Sequence, residues 1–159
     1  MAVEDTAALP VRRRRLHFNN FEEVLDEIES LHARPHRQLG NWPLPIITGH
    51  LALGMHGSID GGTFPVPWHF KLLGPWFIKP RLLKRFPSGF QLPRVAREKL
   101  IPKEISYADA IENLRGAIER LKAETKRGSH PVLGKLTIDE WNRFHLRHCE
   151  MHLGFLVPH

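Results

Sequence analysis

The sequence contains very little cysteine and no long apolar run. A single cysteine, Cys149, occurs in 159 residues, so an intrachain disulfide is excluded. Small scaffolds that depend on disulfides are thereby excluded as well, and one thiol is typical of a protein from a reducing compartment. No apolar stretch approaches the roughly 20 residues that a membrane-spanning helix needs. We therefore expect a cytoplasmic protein without a membrane span.

Acidic residues are outnumbered by basic ones. The chain has 17 Asp and Glu against 23 Lys and Arg, which gives a formal net charge of +6. Such an excess can accompany nucleic-acid binding. Here the basic residues are scattered, apart from the run 12–15 and the region 79–85, and neither belongs to a known nucleic-acid-binding pattern. We expect a small-molecule substrate and no nucleic acid, and we leave a homodimer open.

The chain is long enough for one domain with its own core. We predict a flexible basic N-terminal arm over residues 1–15 and a single domain over residues 16–158. Four segments of this domain carry apolar residues at the helical period and begin or end at typical capping residues. These predicted helices cover about residues 21–31, 44–58, 107–127 and 138–157.

A long irregular connection joins the second and third predicted helices. Residues 59–103 contain seven prolines and show no sustained helical period. The predicted fold is therefore all-α, a four-helix bundle with a long crossover between helices two and three. We expect Trp76 and Phe77 of this crossover, with Trp141, to line a pocket over the bundle interior. The alternative is a basic and aromatic face that binds an anionic membrane surface.

The fourth predicted helix carries an unusual stripe of histidines. His145, His148 and His152 lie on one face with Trp141, and His50 lies on the inward face of the second helix. Buried neutral imidazoles need hydrogen-bond partners or a metal ion, and two histidines one turn apart can direct their nitrogens at one ion. Hydrogen-bonded core histidines are the alternative.

Several short motifs resemble a known superfamily. They are Gly40-Asn41-Trp42, His50-Leu51-Ala52, the segment 130–134, and the segment 148–156. Together they resemble the DinB/YfiT-like superfamily of metalloenzymes, and more narrowly a bacterial subfamily described as a domain of unknown function. The resemblance covers roughly residues 12–158.

The resemblance implies a four-helix bundle that holds a zinc or nickel ion. Its ligands would be His50, His148 and His152. His145 could replace one of the ligands of the fourth helix, or it could hold a ligand in position without binding the ion. Relatives in the superfamily include transferases and isomerases that use a low-molecular-weight thiol. The resemblance therefore implies a thiol as a cofactor.

The leading interpretation is a metal-dependent enzyme, either a thiol-dependent transferase or isomerase or a hydrolase, that acts on a small molecule. No catalytic residue is assigned, because no carboxylate base accompanies the histidines and Glu150 is predicted to face outward with Arg147. Cys149 is predicted to be a small packed residue. The alternative is a bundle that binds metal for structural or stress-related reasons without turnover.

Overall fold

The computed structural model describes residues 12–62, 64–89 and 94–159, and these residues are mostly helical. Seven α-helices, a π-helical turn and two short strands follow one another along the chain. In order they are α1 (Phe21–Ala33), β1 (His36–Gln38), α2 (Leu44–Asp60), α3 (Trp68–Leu73), the π turn (Gly74–Ile78), α4 (Lys79–Lys84), α5 (Arg94–Leu100), α6 (Tyr107–Ala123), α7 (Ile138–Leu153) and β2 (Leu156–Pro158).

The starts of the long helices follow from side-chain caps. Asn20 accepts from the backbone N–H of Glu23 at α1, and Ser106 caps α6 in the same way. Thr137 and Glu140 form a reciprocal capping box at α7. The predicted starts of these helices are therefore confirmed.

The four longest helices share one apolar core. Each places its apolar stripe against the others, and α2 packs most extensively on α6. Burial of this surface supplies most of the stabilising free energy, at about 25 cal/mol per Å². The fully buried members are Val24, Ile28, Leu31, Leu51, Ala52, Met55, Ile59, Leu114, Ala117, Ile118, Cys149, Leu153 and Leu156.

The predicted end of the fourth helix, and the absence of strands, are wrong. Helix α7 ends at Leu153, and β2 then pairs antiparallel with β1, with Arg37 opposite Val157. The reason lies at Gly154, whose added Cβ would be 2.7 Å from the carbonyl oxygen of Arg14. The backbone N–H of Arg14 also donates to the carbonyl of Gly154 at 2.9 Å. The segment around Arg14, which precedes α1, thus occupies the space that a further turn of α7 would need.

Helix α6 is also shorter than predicted. It ends at Ala123, four residues before the predicted end near Arg127. The Arg127 guanidinium donates to the carbonyl oxygens of Leu121 at 2.7 Å and Glu124 at 2.6 Å. These bonds satisfy carbonyls of the last turn, so the chain can leave the helix without orphaned acceptors.

The crossover forms a continuous helical segment over residues 68–84, followed by α5. One side packs on a second apolar cluster around Leu133, Trp141 and Phe144. Gly74 makes this contact possible, because an added Cβ would be 2.1 Å from the carbonyl oxygen of Val132. The other side exposes large apolar residues, namely Trp68, Phe70, Leu72, Leu73, Trp76 and Phe77. No described helix is long and apolar enough to cross a membrane.

Residues 1–11 of the predicted flexible arm lie outside the described residues. Arg14, by contrast, donates to the carbonyl of Leu156 at 2.7 Å and forms an ion pair with Glu27.

The outward position predicted for Arg147 and Glu150 is wrong. Arg147 is 8% exposed, pairs with Glu150 at 3.1 Å and donates to the carbonyl of Phe18 at 2.7 Å. The reason is that the chain before α1 folds back over α7 and covers this face.

Candidate metal centre

Helix α2 supplies the first histidine of the site. His50 is 3% exposed, and its Nδ1 lies 2.7 Å from the carbonyl oxygen of Leu100 at the end of α5. A carbonyl oxygen only accepts, so Nδ1 carries the hydrogen and Nε2 presents a lone pair. The same arrangement orients metal-binding histidines in many sites.

Helix α7 supplies the other two histidines, which stand one helical turn apart. The Nε2 atoms of His148 and His152 are 3.0 Å apart, and the Nε2 atoms of His148 and His50 are 3.3 Å apart. All three ligand atoms lie within 4.8 Å of one another. The structure therefore brings together the three residues that the sequence resemblance singled out.

The donor set fits a divalent transition-metal ion. Two nitrogens bound to one tetrahedral ion at the usual bond length are about 3.3 Å apart, close to the spacing seen here. Hydrogen bonding explains the cluster less well, because the Nε2 of His148 carries either one hydrogen or one lone pair. Only one of its two contacts can then be a well-aligned hydrogen bond. A cation would accept all three lone pairs.

Burial keeps these imidazoles neutral, which is the form that binds a metal. Desolvation lowers the pKa of His152 to about 3, and it lowers the pKa of His148 well below its usual value. The neighbouring rings lower both values further. Burial also lowers the pKa of His50. The centre therefore offers three neutral imidazoles, and no carboxylate of the described residues belongs to the group.

Two aromatic rings form walls of the centre. Trp42 stacks on His152 with ring centroids 5.2 Å apart and meets His50 edge-on, and Phe86 packs on His148 at 4.9 Å. Trp42 belongs to the motif behind the resemblance, but we did not predict it as a wall. Its signal was its position directly before the helix that carries His50.

The structure also places the three residues predicted to line a pocket. Trp76 and Phe77 are 79% and 59% exposed, and Trp141 is buried against His145 with ring centroids 5.4 Å apart. These positions do not test whether Trp76, Phe77 and Trp141 line a pocket, which stays a prediction. Among the described aromatic residues of the crossover, Phe86, two residues after the end of α4, packs on a histidine of the centre.

A comparison with known families places the chain. A family model described as "Protein of unknown function (DUF1569)" matches residues 11–159. The chain belongs to this family. No curated protein and no solved structure shows a significant match to this DUF1569 chain. The match confirms the interpretation as a domain of unknown function, and the matched range includes all three histidines of the centre.

His145 of the DUF1569 chain is buried but is not part of the three-histidine group. Its Nε2 lies 3.0 Å from Ser58 Oγ, and Ser58 donates its own hydrogen to the carbonyl of Met55 at 2.7 Å. The nitrogen is therefore the donor, and His145 presents no lone pair there. Burial lowers its pKa to about 3. The bond to Ser58 links α7, which carries His148 and His152, to α2, which carries His50.

A further histidine of the DUF1569 chain was not predicted as a site residue. His130 Nδ1 accepts from the backbone N–H groups of Val132 and Leu133, each at 3.1 Å, and its ring contacts Phe144. These bonds shape the turn before α7, and burial lowers the pKa of His130 to about 4. The role that these bonds give His130 is structural.

A basic cleft of about 200 Å³ adjoins the centre. Its wall includes Phe86, which also packs on His148, and Met151, which precedes His152. The charged residues of this wall are Arg13, Arg14, Arg15, Lys84, Arg85, Arg147 and Glu150. The centre thus borders a strongly positive surface.

Proposed function

We propose that this DUF1569 chain is a metal-dependent enzyme that acts on a small molecule. The observation that carries the proposal is the convergence of three neutral Nε2 atoms, at 3.0 and 3.3 Å, from two different helices. The ligands would be His50, His148 and His152, with zinc or nickel as the ion. The three imidazoles fill three coordination positions, which in catalytic zinc sites leaves one for water or substrate.

The proposal extends to membership of the DinB/YfiT-like superfamily, which the sequence motifs resemble. The four long helices with their shared core would form its four-helix bundle, and the segment between α2 and α6 would be its crossover. The reaction class that this resemblance suggests is a thiol-dependent transfer or isomerisation, with hydrolysis as the alternative. The single buried cysteine fits the reducing cytoplasm, where low-molecular-weight thiols are abundant.

The chemistry would be divided between the ion and the chain. The ion, when bound, supplies a Lewis acid that lowers the pKa of a coordinated water or thiol and polarises an electrophile. The Leu100 carbonyl fixes the tautomer and orientation of His50. Trp42 and Phe86 cover the flanks of the ligands and limit the entry of bulk water. With no carboxylate in the group, the proposed centre keeps the full positive charge of the ion.

Metal analysis of variants tests the ligand set. Protein purified without a histidine tag should contain one transition-metal ion per chain, and His148→Ala and His152→Ala should each abolish stoichiometric binding. His145→Ala is the matched control on the same helix, and it should weaken binding by at most about 10- to 100-fold. Full occupancy in both single ligand variants would contradict the proposed site.

Stability without metal separates an enzyme from a metal-dependent scaffold. The apolar core shared by α1, α2, α6 and α7 contains none of the three histidines. We therefore expect the stripped protein to keep its helical circular dichroism and a cooperative unfolding transition, as a catalytic site in an independently stable fold allows. Complete unfolding on metal removal would favour the alternative of a structural metal.

A further inference from the structure

The basic cleft beside the metal centre has more positive charge than the chain itself neutralises. Two of its cations have partners within the protein. Arg14 pairs with Glu27, and Arg147 pairs with Glu150, which is the only carboxylate among the described residues of the cleft wall. Neither Arg13 nor Arg85 forms an ion pair with any carboxylate in the described part of the chain. The same holds for Arg15 and Lys84, so the uncompensated charge of the wall lies on four cations, Arg13 and Arg85 among them.

Arg13 is held in place although its charge is not satisfied. Its guanidinium lies 5.2 Å from the centroid of the Phe155 ring, and its neighbour Arg14 is bonded to Gly154 and Leu156. The Nη1 atom of Arg13 is buried and has no hydrogen-bond partner among the described residues. Arg85 lies close enough for its charge to oppose that of Arg13. A buried cationic donor without a partner is costly and calls for an acceptor.

An oxyanion would satisfy this arrangement. Carboxylate and phosphate groups accept several hydrogen bonds from guanidinium groups, and two arginines of the same charge are brought together favourably by an anion between them. A cleft of about 200 Å³ has room for such a group and a short carbon chain. Phe86 and Met151 connect the cleft wall to the three-histidine centre, because Phe86 packs on His148 and Met151 directly precedes His152.

We propose that the cleft binds the anionic group, a carboxylate or phosphate, of a small molecule whose other end reaches the three-histidine centre. Arg13 and Arg85 bind the oxyanion, and Lys84 adds to the positive potential. The second half of this assignment rests on the proposed metal-dependent function. The substrate or thiol of this DUF1569 chain is then an acid and not a neutral molecule.

The first experiment measures anion binding to the cleft in the absence of metal. Inorganic phosphate should raise the melting temperature of the metal-stripped protein more than sodium chloride at the same ionic strength. This difference should disappear in Arg13→Gln and in Arg85→Gln, while Arg81→Gln on the neighbouring α4, outside the cleft wall, should keep it. Equal effects of phosphate and chloride on the wild type would overturn the cleft proposal. Because Arg85 is exposed, its variant serves even if Arg13→Gln folds poorly.

The second experiment asks whether the cleft and the centre bind one molecule. Cobalt-loaded protein is titrated with 3-mercaptopropionate and 6-mercaptohexanoate, each compared with its neutral amide, and binding is read from the thiolate-to-cobalt absorption. At least one acid should bind about 10-fold or more tightly than its amide, as expected for one charge-assisted contact. Arg13→Gln should remove this preference without weakening binding of the amide, and Arg81→Gln should keep it.

The two experiments distinguish the failures. Absence of cobalt binding with an intact phosphate effect would refute the metal centre and leave the cleft in place. Cobalt binding with equal affinities for every acid and amide would overturn the link between them. Unchanged acid preference in Arg13→Gln and in Arg85→Gln would show that other residues bind the anion.

Discussion

Acid should unfold the metal-stripped protein steeply, because buried histidines stay neutral in the native state. Burial lowers the pKa of His130 to about 4 and the pKa of His145 and His152 to about 3. In the unfolded chain each has a pKa of about 6.5. Above that pH neither state binds the protons, so the native state bears no penalty. As the pH falls below 6.5, only the unfolded chain takes up protons, and stability is lost.

The size of the loss follows from linkage. At pH 5 each of these three histidines lowers the free energy of unfolding by about 2 kcal/mol relative to pH 8, or about 6 kcal/mol together. That is comparable with the whole stability of a typical domain, roughly 5–15 kcal/mol. The two remaining ligands, His50 and His148, act in the same direction.

Urea unfolding at several pH values measures this effect. Circular dichroism of the stripped protein between pH 7.5 and 5 gives the free energy of unfolding, and its slope with pH gives the number of protons taken up. We expect about three protons or more near pH 5, and about one fewer in His145→Gln. The exposed His69→Gln is the control and should leave the slope unchanged. An uptake below one proton, or an unchanged slope in His145→Gln, would refute the reasoning.

Three further changes test the fold by urea unfolding. Thr137→Ala removes the capping box of α7 and should cost about 1 kcal/mol, so an unchanged midpoint would contradict its role. Gly154→Ala places a Cβ 2.7 Å from the Arg14 carbonyl oxygen and should cost about 1–3 kcal/mol. Its control Gly116→Ala, with no atom near the added Cβ, should stabilise by about 0.5–1 kcal/mol. Trp76→Ala should change stability by less than about 0.5 kcal/mol, because Trp76 is 79% exposed, and a larger loss would indicate a buried role.

The histidine face of α7 and the start of this helix were predictable, because residues close together in the sequence determine both. The spacing of His148 and His152 places them on one face of any α-helix, and Thr137 with Glu140 marks where that helix begins. The sequence also identified His50 as an inward residue. Its partner Leu100 could not be found in this way, because a backbone carbonyl carries no signature in the sequence.

The wall of the site was harder to predict because the crossover contains a π turn. Residues 74–78 form hydrogen bonds five residues apart, so this turn holds one more residue than an α-helical turn. The extra residue changes which side chains of the segment face the core. Ile78, Leu82 and Phe86 pack inward, while Trp76 and Phe77 face solvent. The strand pair was missed for a different reason. Its two strands lie about 120 residues apart in the sequence, so no local pattern indicates that they pair.

The contacts that complete the centre have a consequence for the order of events during synthesis. His50 and His148 are 98 residues apart, and the side-chain bond from Arg14 to Leu156 joins residues 142 apart. Contacts of such separation form late, because the intervening chain must first be brought together. A ribosome must therefore release nearly the whole domain before the third ligand exists. Any metal ion would enter only after this domain has been synthesised through His152, so metal supply would act late in the formation of the domain.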